Sequence, residues 1–305
     1  MPIPASQYTA DPTIQIMSRY SFAVISFVAS FHVVTLAAFD SATIQRYAHA
    51  ASLSYLSLEK MKTSEYLSLS RLEPLLQVID PVSESGATIF SDKSDNTKKL
   101  VVACRGSANP KNFATNLKFR LAPATRLSQP TPSGSLVHEG FQDASVGLWK
   151  ELAQPLLSRI KEEEDATEII FTCHSLGAAN ALLTSVHYRT SMSPSSSLSR
   201  PSIVTFGGPK LCNDILARFI RNDALDGSNI LHLVHAKDPV LANNKKLWDD
   251  LGFVDVGIEL ECDPNNPTVY TSGEEKPKSS IFSSFAWNIL DHCNYMGVFV
   301  GPRAR

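Results

Sequence analysis

One stretch limits the possible architecture more than any other. Residues 168–183, "EIIFTCHSLGAANALL", run from an apolar lead-in through Thr172-Cys173-His174-Ser175-Leu176-Gly177 into an alanine-rich, helix-like segment. A strand that turns directly into a helix is the building block of a parallel sheet, because parallel neighbours need a helical crossover between them. The rest of the chain repeats the pattern. "LVVAC" (100–104) is a continuous apolar run, as expected for a strand covered on both faces. It pairs by sequence with "GATIF" across a polar turn at 91–99, and "SIVTFGGP" and "NILHLVHAKDP" add two strands that end in turn residues. "SATIQRYAHAASLSYLS" after Asp40 has helical spacing, and "SVGLWKELAQPLLSRIKEEED" reads as an amphipathic helix kinked at Pro155. Strands alternating with helices imply an α/β fold with a mainly parallel central sheet flanked by helices. No repeat or convincing linker divides residues 41–305, which read as one domain.

The chain has 305 residues, 43% of them hydrophobic, and 28 basic against 30 acidic side chains for a net charge of −2. That balance, with no dense basic run, gives no electrostatic footprint for nucleic acid. The five cysteines include no C-x-x-C pair, so zinc and dithiol redox chemistry have no motif, and a pairing such as Cys262 with Cys293 stays open. Residues 1–40 form a separate hydrophobic segment. Within it, residues 21–39 carry no charged side chain and suit either a secretory signal, with Thr35-Leu36-Ala37 as a cleavage site, or a membrane anchor. A core or surface helix is the third option. If Met17 is the true start, the segment reads as a compact signal peptide. A secreted or membrane-associated protein is therefore expected, with a cytosolic location still open.

Ser175 has two readings. It is either the N-cap of a buried helix or a nucleophile held on a sharp elbow, where its side chain projects above the sheet and the next backbone N–H faces developing negative charge. An elbow this tight requires small residues two positions before and after the serine; Gly177 satisfies this, and Cys173 adds a Cβ where glycine is usual. A serine nucleophile also needs a base and an acid, and in this fold they follow in the order Ser, acid, His. Of eight histidines, only His292 lies late enough in the chain to close such a row. Asp238 is the best acid, because it follows the apolar strand 230–234 and precedes Pro239, where active sites of open α/β sheets gather. His174 is expected to point away from Ser175 in a structural role, and His232 and His235 to sit on the strand or at its end.

These residues resemble the class 3 lipases, the fungal-type triacylglycerol lipases of the α/β-hydrolase superfamily, over roughly residues 41–300. "TCHSLGAA" is similar to the family's G-H-S-x-G elbow and "VVACRGS" to its strand ending in R-G-[ST]. "VHEGF" and "VTFGGPKLCN" resemble segments that are largely structural, "HAKDPV" the acid motif and "DHCNY" the closing H-x-x-Y. The resemblance implies an α/β-hydrolase fold and a Ser175, Asp238, His292 triad. It puts the oxyanion donors at Ser107 and at the backbone N–H of Leu176, with no metal or organic cofactor. Cys173, Ala178 and Asn116 depart from the family's usual Gly, Gly and Asp.

The resemblance also implies a short helical lid in "SANPKNFATNLKFRL". Asn109 suits the cap and Pro110 the first turn, while Phe113, Ala114, Leu117 and Leu121 share a face. An ordinary helix lying on the core is the competing reading. The implied substrate is a lipid ester at an oil or membrane interface, triacylglycerol in the first instance. Phospholipid, monoacylglycerol or feruloyl esters remain alternatives, as does a non-catalytic descendant that binds lipid or protein.

Overall fold

Apolar runs too short for buried helices become the strands, and their burial follows from cover on both faces. The computed structural model describes residues 39–94, 97–106, 120–163, 165–270 and 289–302. The chain divides between Asp40 and Ser41 into two units, and the second carries all that follows. Helix α1 (Ser41–Leu53) and two short helices, α2 (Leu58–Met61) and α3 (Glu65–Ser70), precede β1 (Leu72–Ile79), β2 (Gly86–Asp92) and β3 (Lys98–Cys104). A small hairpin of β4 (Leu121–Pro123) and β5 (Leu136–His138) leads into α4 (Glu139–Glu162). Then come β6 (Ala166–His174), α5 (Leu176–Ser191), β7 (Ser202–Phe206), α6 (Asp214–Phe219), β8 (Ile230–Val234) and α7 (Pro239–Asp250). Strands β9 (Ile258–Cys262) and β10 (Val269–Tyr270), a 3-10 turn (Ile289–Cys293) and the hairpin β11 (Asn294–Tyr295) and β12 (Val298–Phe299) complete it.

The main sheet has eight strands in the order β1-β2-β3-β6-β7-β8-β9-β10. Strands β3, β6, β7, β8 and β9 run parallel; β1, β2 and β10 are antiparallel additions at the two edges. Together with the helices, this is an α/β-hydrolase fold. Strand β6 shows how a period of two serves two layers. Ile169, Phe171 and Cys173 join the cluster that contains Leu148, Leu152 and Leu156 of α4 and Ala179 and Leu183 of α5. Thr172, one residue out of phase, donates to the carbonyl of Tyr47 in α1 at 3.4 Å. The alternation leaves the end of β6 at the rim of the sheet, with its last side chains assigned to opposite faces.

Three expectations change. Helix α4 starts at Glu139, earlier than the apolar pattern suggested, because Nδ1 of His138 caps the N–H of Phe141 at 3.3 Å. It continues through Pro155 without interruption. Leu121, expected on the lid helix, instead opens β4 opposite His138. All five cysteines are buried and free, so Cys262 and Cys293 are not bonded to one another. Among the described residues, no helix is long and apolar enough to cross a membrane. The segment 21–38 and its start at Met17 lie outside the described residues.

Candidate active site

Strand β6 ends at His174 and α5 begins at Leu176, so Ser175 alone makes the turn. Its backbone adopts φ 59 and ψ −137, and its side chain makes no capping hydrogen bond to the helix. A plain N-cap holds extended backbone and accepts from the first turn, so that reading fails. This region of backbone space costs about 1–3 kcal/mol for a residue with a Cβ. The surroundings impose it: the Ser175 N–H donates to Phe206 O, and the Ala178 N–H to Ser175 O, both at 2.9 Å.

The approach of α5 to the strand explains the glycine after the serine. A Cβ on Gly177 would collide with Cys173 Sγ and come within 2.8 Å of the Arg105 backbone. The thiol of Cys173 donates to the carbonyl of Cys104, its register partner on β3. Cys173 thus fits the elbow by turning its sulfur beneath α5, into space that only a glycine at 177 leaves open. Gly177→Ala is expected to destabilise the fold by about 2 kcal/mol through overpacking. Adding Cys173→Gly should restore only part of that in urea titrations, because the Arg105 backbone remains. Full restoration would show that the sulfur alone sets the constraint.

The structure brings Ser175, His292 and Asp238 into one hydrogen-bonded row, although they lie 117 and 54 residues apart. Ser175 Oγ is 2.8 Å from His292 Nε2, and His292 Nδ1 is 2.8 Å from Asp238 Oδ2. A carboxylate only accepts, so Nδ1 carries the imidazole proton and Nε2 is left to accept from the serine hydroxyl. Asp238, fully buried, is also the side-chain cap of α7: its Oδ1 accepts from the N–H groups of Val240 (2.8 Å) and Leu241 (3.2 Å). Its Oδ2 accepts a second bond, from Tyr295 Oη at 2.5 Å. Burial by itself would raise the Asp238 pKa, but the bonds and charge of His292, with those from Tyr295 and Leu241, prevail and hold it down at about 2. The row is therefore ionised at its acid end at neutral pH. Gly207, at φ 57, leaves room for it, since a Cβ there would stand 2.5 Å from Tyr295 Oη and 2.9 Å from Asp238 Oδ2.

Leu176 supplies the first N–H of α5, which has no acceptor within the helix and directly follows the serine. Ser107, Asn109, Phe113 and Leu117 lie outside the described residues. Among the described residues, no group of three or more His, Cys, Asp or Glu could hold a metal ion. His232 pairs with Thr205 Oγ1 at 2.8 Å, as a strand histidine should. His174, expected to point away from Ser175, and His235, expected on the strand or at its end, hold the carbonyls of His292 and Asp291 at 2.7 and 3.0 Å. Tyr295 was legible only as part of a closing motif, and nothing in the sequence indicated that its hydroxyl ends on Asp238.

Several histidines are buried and neutral. Burial lowers the pKa of His49 to about 4 and of His187 to about 4, and lowers that of His235. At His174, burial and then the charge of His292 bring it to about 3. Each folded-state value lies below that of the unfolded chain, about 6.5, so the unfolded state takes up protons first as pH falls. Their contribution is complete above about pH 6.5 and is lost progressively toward pH 3–4, with a slope of up to ~1.4 kcal/mol per pH unit for each histidine. Urea midpoints are expected to drop between pH 6.5 and 4, and His49→Gln should flatten the slope by about one proton. A flat profile would show that these rings are not buried neutral.

The family model described as Lipase (class 3) matches residues 101–243, a segment that holds Ser175 and Asp238 but ends before His292. A lipase of Rhizomucor miehei is 27% identical over 214 residues, which is 68% of this chain and 55% of that protein. The "Secreted mono- and diacylglycerol lipase 1" of Fusarium solani is 28% identical over 158 residues, 51% of this chain and 41% of that protein. The chain thus spans about half the length of these curated relatives. The solved structure of the Rhizomucor miehei triacylglyceride lipase superposes with a TM-score of 0.65 at 23% identity, covering 85% of this chain and 95% of that one. With the elbow and the acid motif inside the matched segment and the same fold around them, the chain is similar to the class 3 lipases over residues 101–243.

Proposed function

We propose that the protein is a serine hydrolase that cleaves carboxylic esters of lipids, with acylglycerols as the substrate class. The observation that carries this reading is the row from Ser175 Oγ through His292 to Asp238, at 2.8 Å for each step. In the proposed reaction, Ser175 attacks the ester carbonyl while His292 Nε2 takes the hydroxyl proton. Asp238 stays ionised, orients the ring and stabilises the imidazolium. The N–H groups of Leu176 and Ser107 receive the oxyanion. His292 then protonates the departing alcohol, and water deacylates the serine by the same sequence in reverse.

The sequence of residues 107–119 supports a surface-sensitive version of this reading. Phe113 and Leu117, if presented to lipid, would each contribute roughly 1.5–3 kcal/mol, enough to bias a lid between closed and open states. Residues 21–39 and the secreted relative from Fusarium solani support passage through the secretory pathway. A fluorophosphonate probe should label the protein at Ser175, and peptide mapping would locate the adduct. No label on the folded protein would count for a non-catalytic binder. A panel of p-nitrophenyl esters of graded chain length, triolein and phosphatidylcholine identifies the ester class. Faster turnover of emulsified than of dissolved ester is expected, and equal rates would remove the lid.

A further inference from the structure

The imidazole of His292 sits on a single 3-10 turn, Ile289–Cys293, and a turn that short does not fix a side chain to a fraction of an ångström. Two histidines from other strands grip it. His174, the last residue of β6, places Nε2 2.7 Å from the carbonyl oxygen of His292 itself. His235, one residue beyond β8, places Nε2 3.0 Å from the carbonyl oxygen of Asp291. A carbonyl only accepts, so both rings carry their proton on Nε2 and leave Nδ1 as an acceptor. At His174 that acceptor is 3.2 Å from Tyr55 Oη, which donates to it and sets the tautomer. Both rings are nearly inaccessible, at 2% and 5% exposure. Tyr295 stands edge-on to each, with ring centroids 5.9 Å from His174 and 4.7 Å from His235, and its hydroxyl ends on Asp238. The support of the base and the support of the acid are therefore packed together.

We propose that His174 and His235 are positioning residues, whose two Nε2–H donors clamp consecutive carbonyls and hold the His292 ring between Ser175 and Asp238. This rests on the hydrolase reading above. The chemical reason is tolerance: proton transfer requires hydrogen-bond distance, and a displacement of about 1 Å costs on the order of 100-fold in rate. Neutral rings suit the task. The His174 centroid is 4.7 Å from that of His292, so a charged His174 would oppose the imidazolium that forms during turnover. Histidine supplies a donor at the tip of a rigid ring, which a lysine could supply only by adding charge.

The test separates the donor from the ring. His174→Phe and His235→Phe keep an aromatic filler and remove the N–H, whereas His174→Gln and His235→Gln keep an amide donor at similar reach. Each Phe variant should lose roughly 10- to 100-fold in kcat on a dissolved p-nitrophenyl ester, with KM changed by less than about 2-fold. Each Gln variant should recover most of the loss. The downfield proton resonance of His292 Nδ1–H should broaden or vanish in the Phe variants and persist in the Gln variants. Tyr55→Phe frees the His174 tautomer and also removes a hydroxyl bonded to the Gly106 N–H; it should lower kcat several-fold and broaden the His292 Nδ1–H resonance, and that resonance decides the matter at His174 if the Phe variant there fails to fold. Folded Phe variants with wild-type kcat overturn the clamp, as do Phe and Gln variants that are equally impaired, since that is the signature of packing alone. Absence of fluorophosphonate labelling in the wild-type protein would instead defeat the hydrolase reading, so the two failures are distinct.

Discussion

Replacing Ser175 by alanine is expected to lower ester turnover by roughly 10⁴- to 10⁶-fold, with folding intact. In the proposed mechanism the loss is large because His292 would have no nucleophile to act on except unpositioned water. Folding should survive because Ser175 Oγ caps nothing in α5 and bonds only to the imidazole among the contacts described. A second variant probes the elbow. At φ 59 and ψ −137 a glycine would relieve the strain that alanine retains. Ser175→Gly should therefore be as inactive as Ser175→Ala but more stable by about 1 kcal/mol or more in urea titrations. Turnover by Ser175→Ala within 10-fold of wild type, after exclusion of contaminating esterase, would end the nucleophile assignment.

Asp238→Ala should be damaging in two ways, because one buried carboxylate supports both the base and a helix. Four donors converge on it: two N–H groups of α7, the His292 ring and the Tyr295 hydroxyl. Loss of the cap costs about 1 kcal/mol, and each buried donor left without an acceptor costs about 1–3 kcal/mol more. A destabilisation of roughly 4 kcal/mol or above is expected, together with loss of turnover. Asp238→Asn keeps the shape and one acceptor oxygen, so it should fold better, yet its kcat should fall on the order of 10⁴-fold because the imidazole loses its tautomer and its counter-charge. Tyr295→Phe removes a single bond and should cost far less. Wild-type kcat in Asp238→Asn would mean that the carboxylate is only a helix cap.

How the sequence led to these residues has a physical basis. Elbows have a local signature, an apolar strand followed by small residues around a serine, because the constraint at Ser175 is steric and acts within five positions. Asp238 was legible from a strand end and the following Pro239, which together mark a helix start. His292 emerged by chain order, since a fixed topology visits the strand ends in a fixed sequence. His174 and His235 were placed correctly near the strand ends but given no contact with the row. Their partners are backbone carbonyls 118 and 56 residues away, and a carbonyl has no residue-type signature.

Periodicity and turn chemistry by themselves pointed to a parallel core and an elbow at Ser175, and the chain order of a Ser, acid, His row singled out Asp238 and His292 as candidates, because each depends on local sterics or on strand order. Tertiary structure alone decided which atoms meet. It set the His292 proton on Nδ1, turned the Tyr295 hydroxyl toward Asp238, seated the Cys173 sulfur beneath Gly177 and aimed two neutral imidazoles at one turn. Those outcomes follow from packing between segments distant in the chain, where tenths of an ångström separate a hydrogen bond from a gap, and no pattern along the sequence encodes distances of that size.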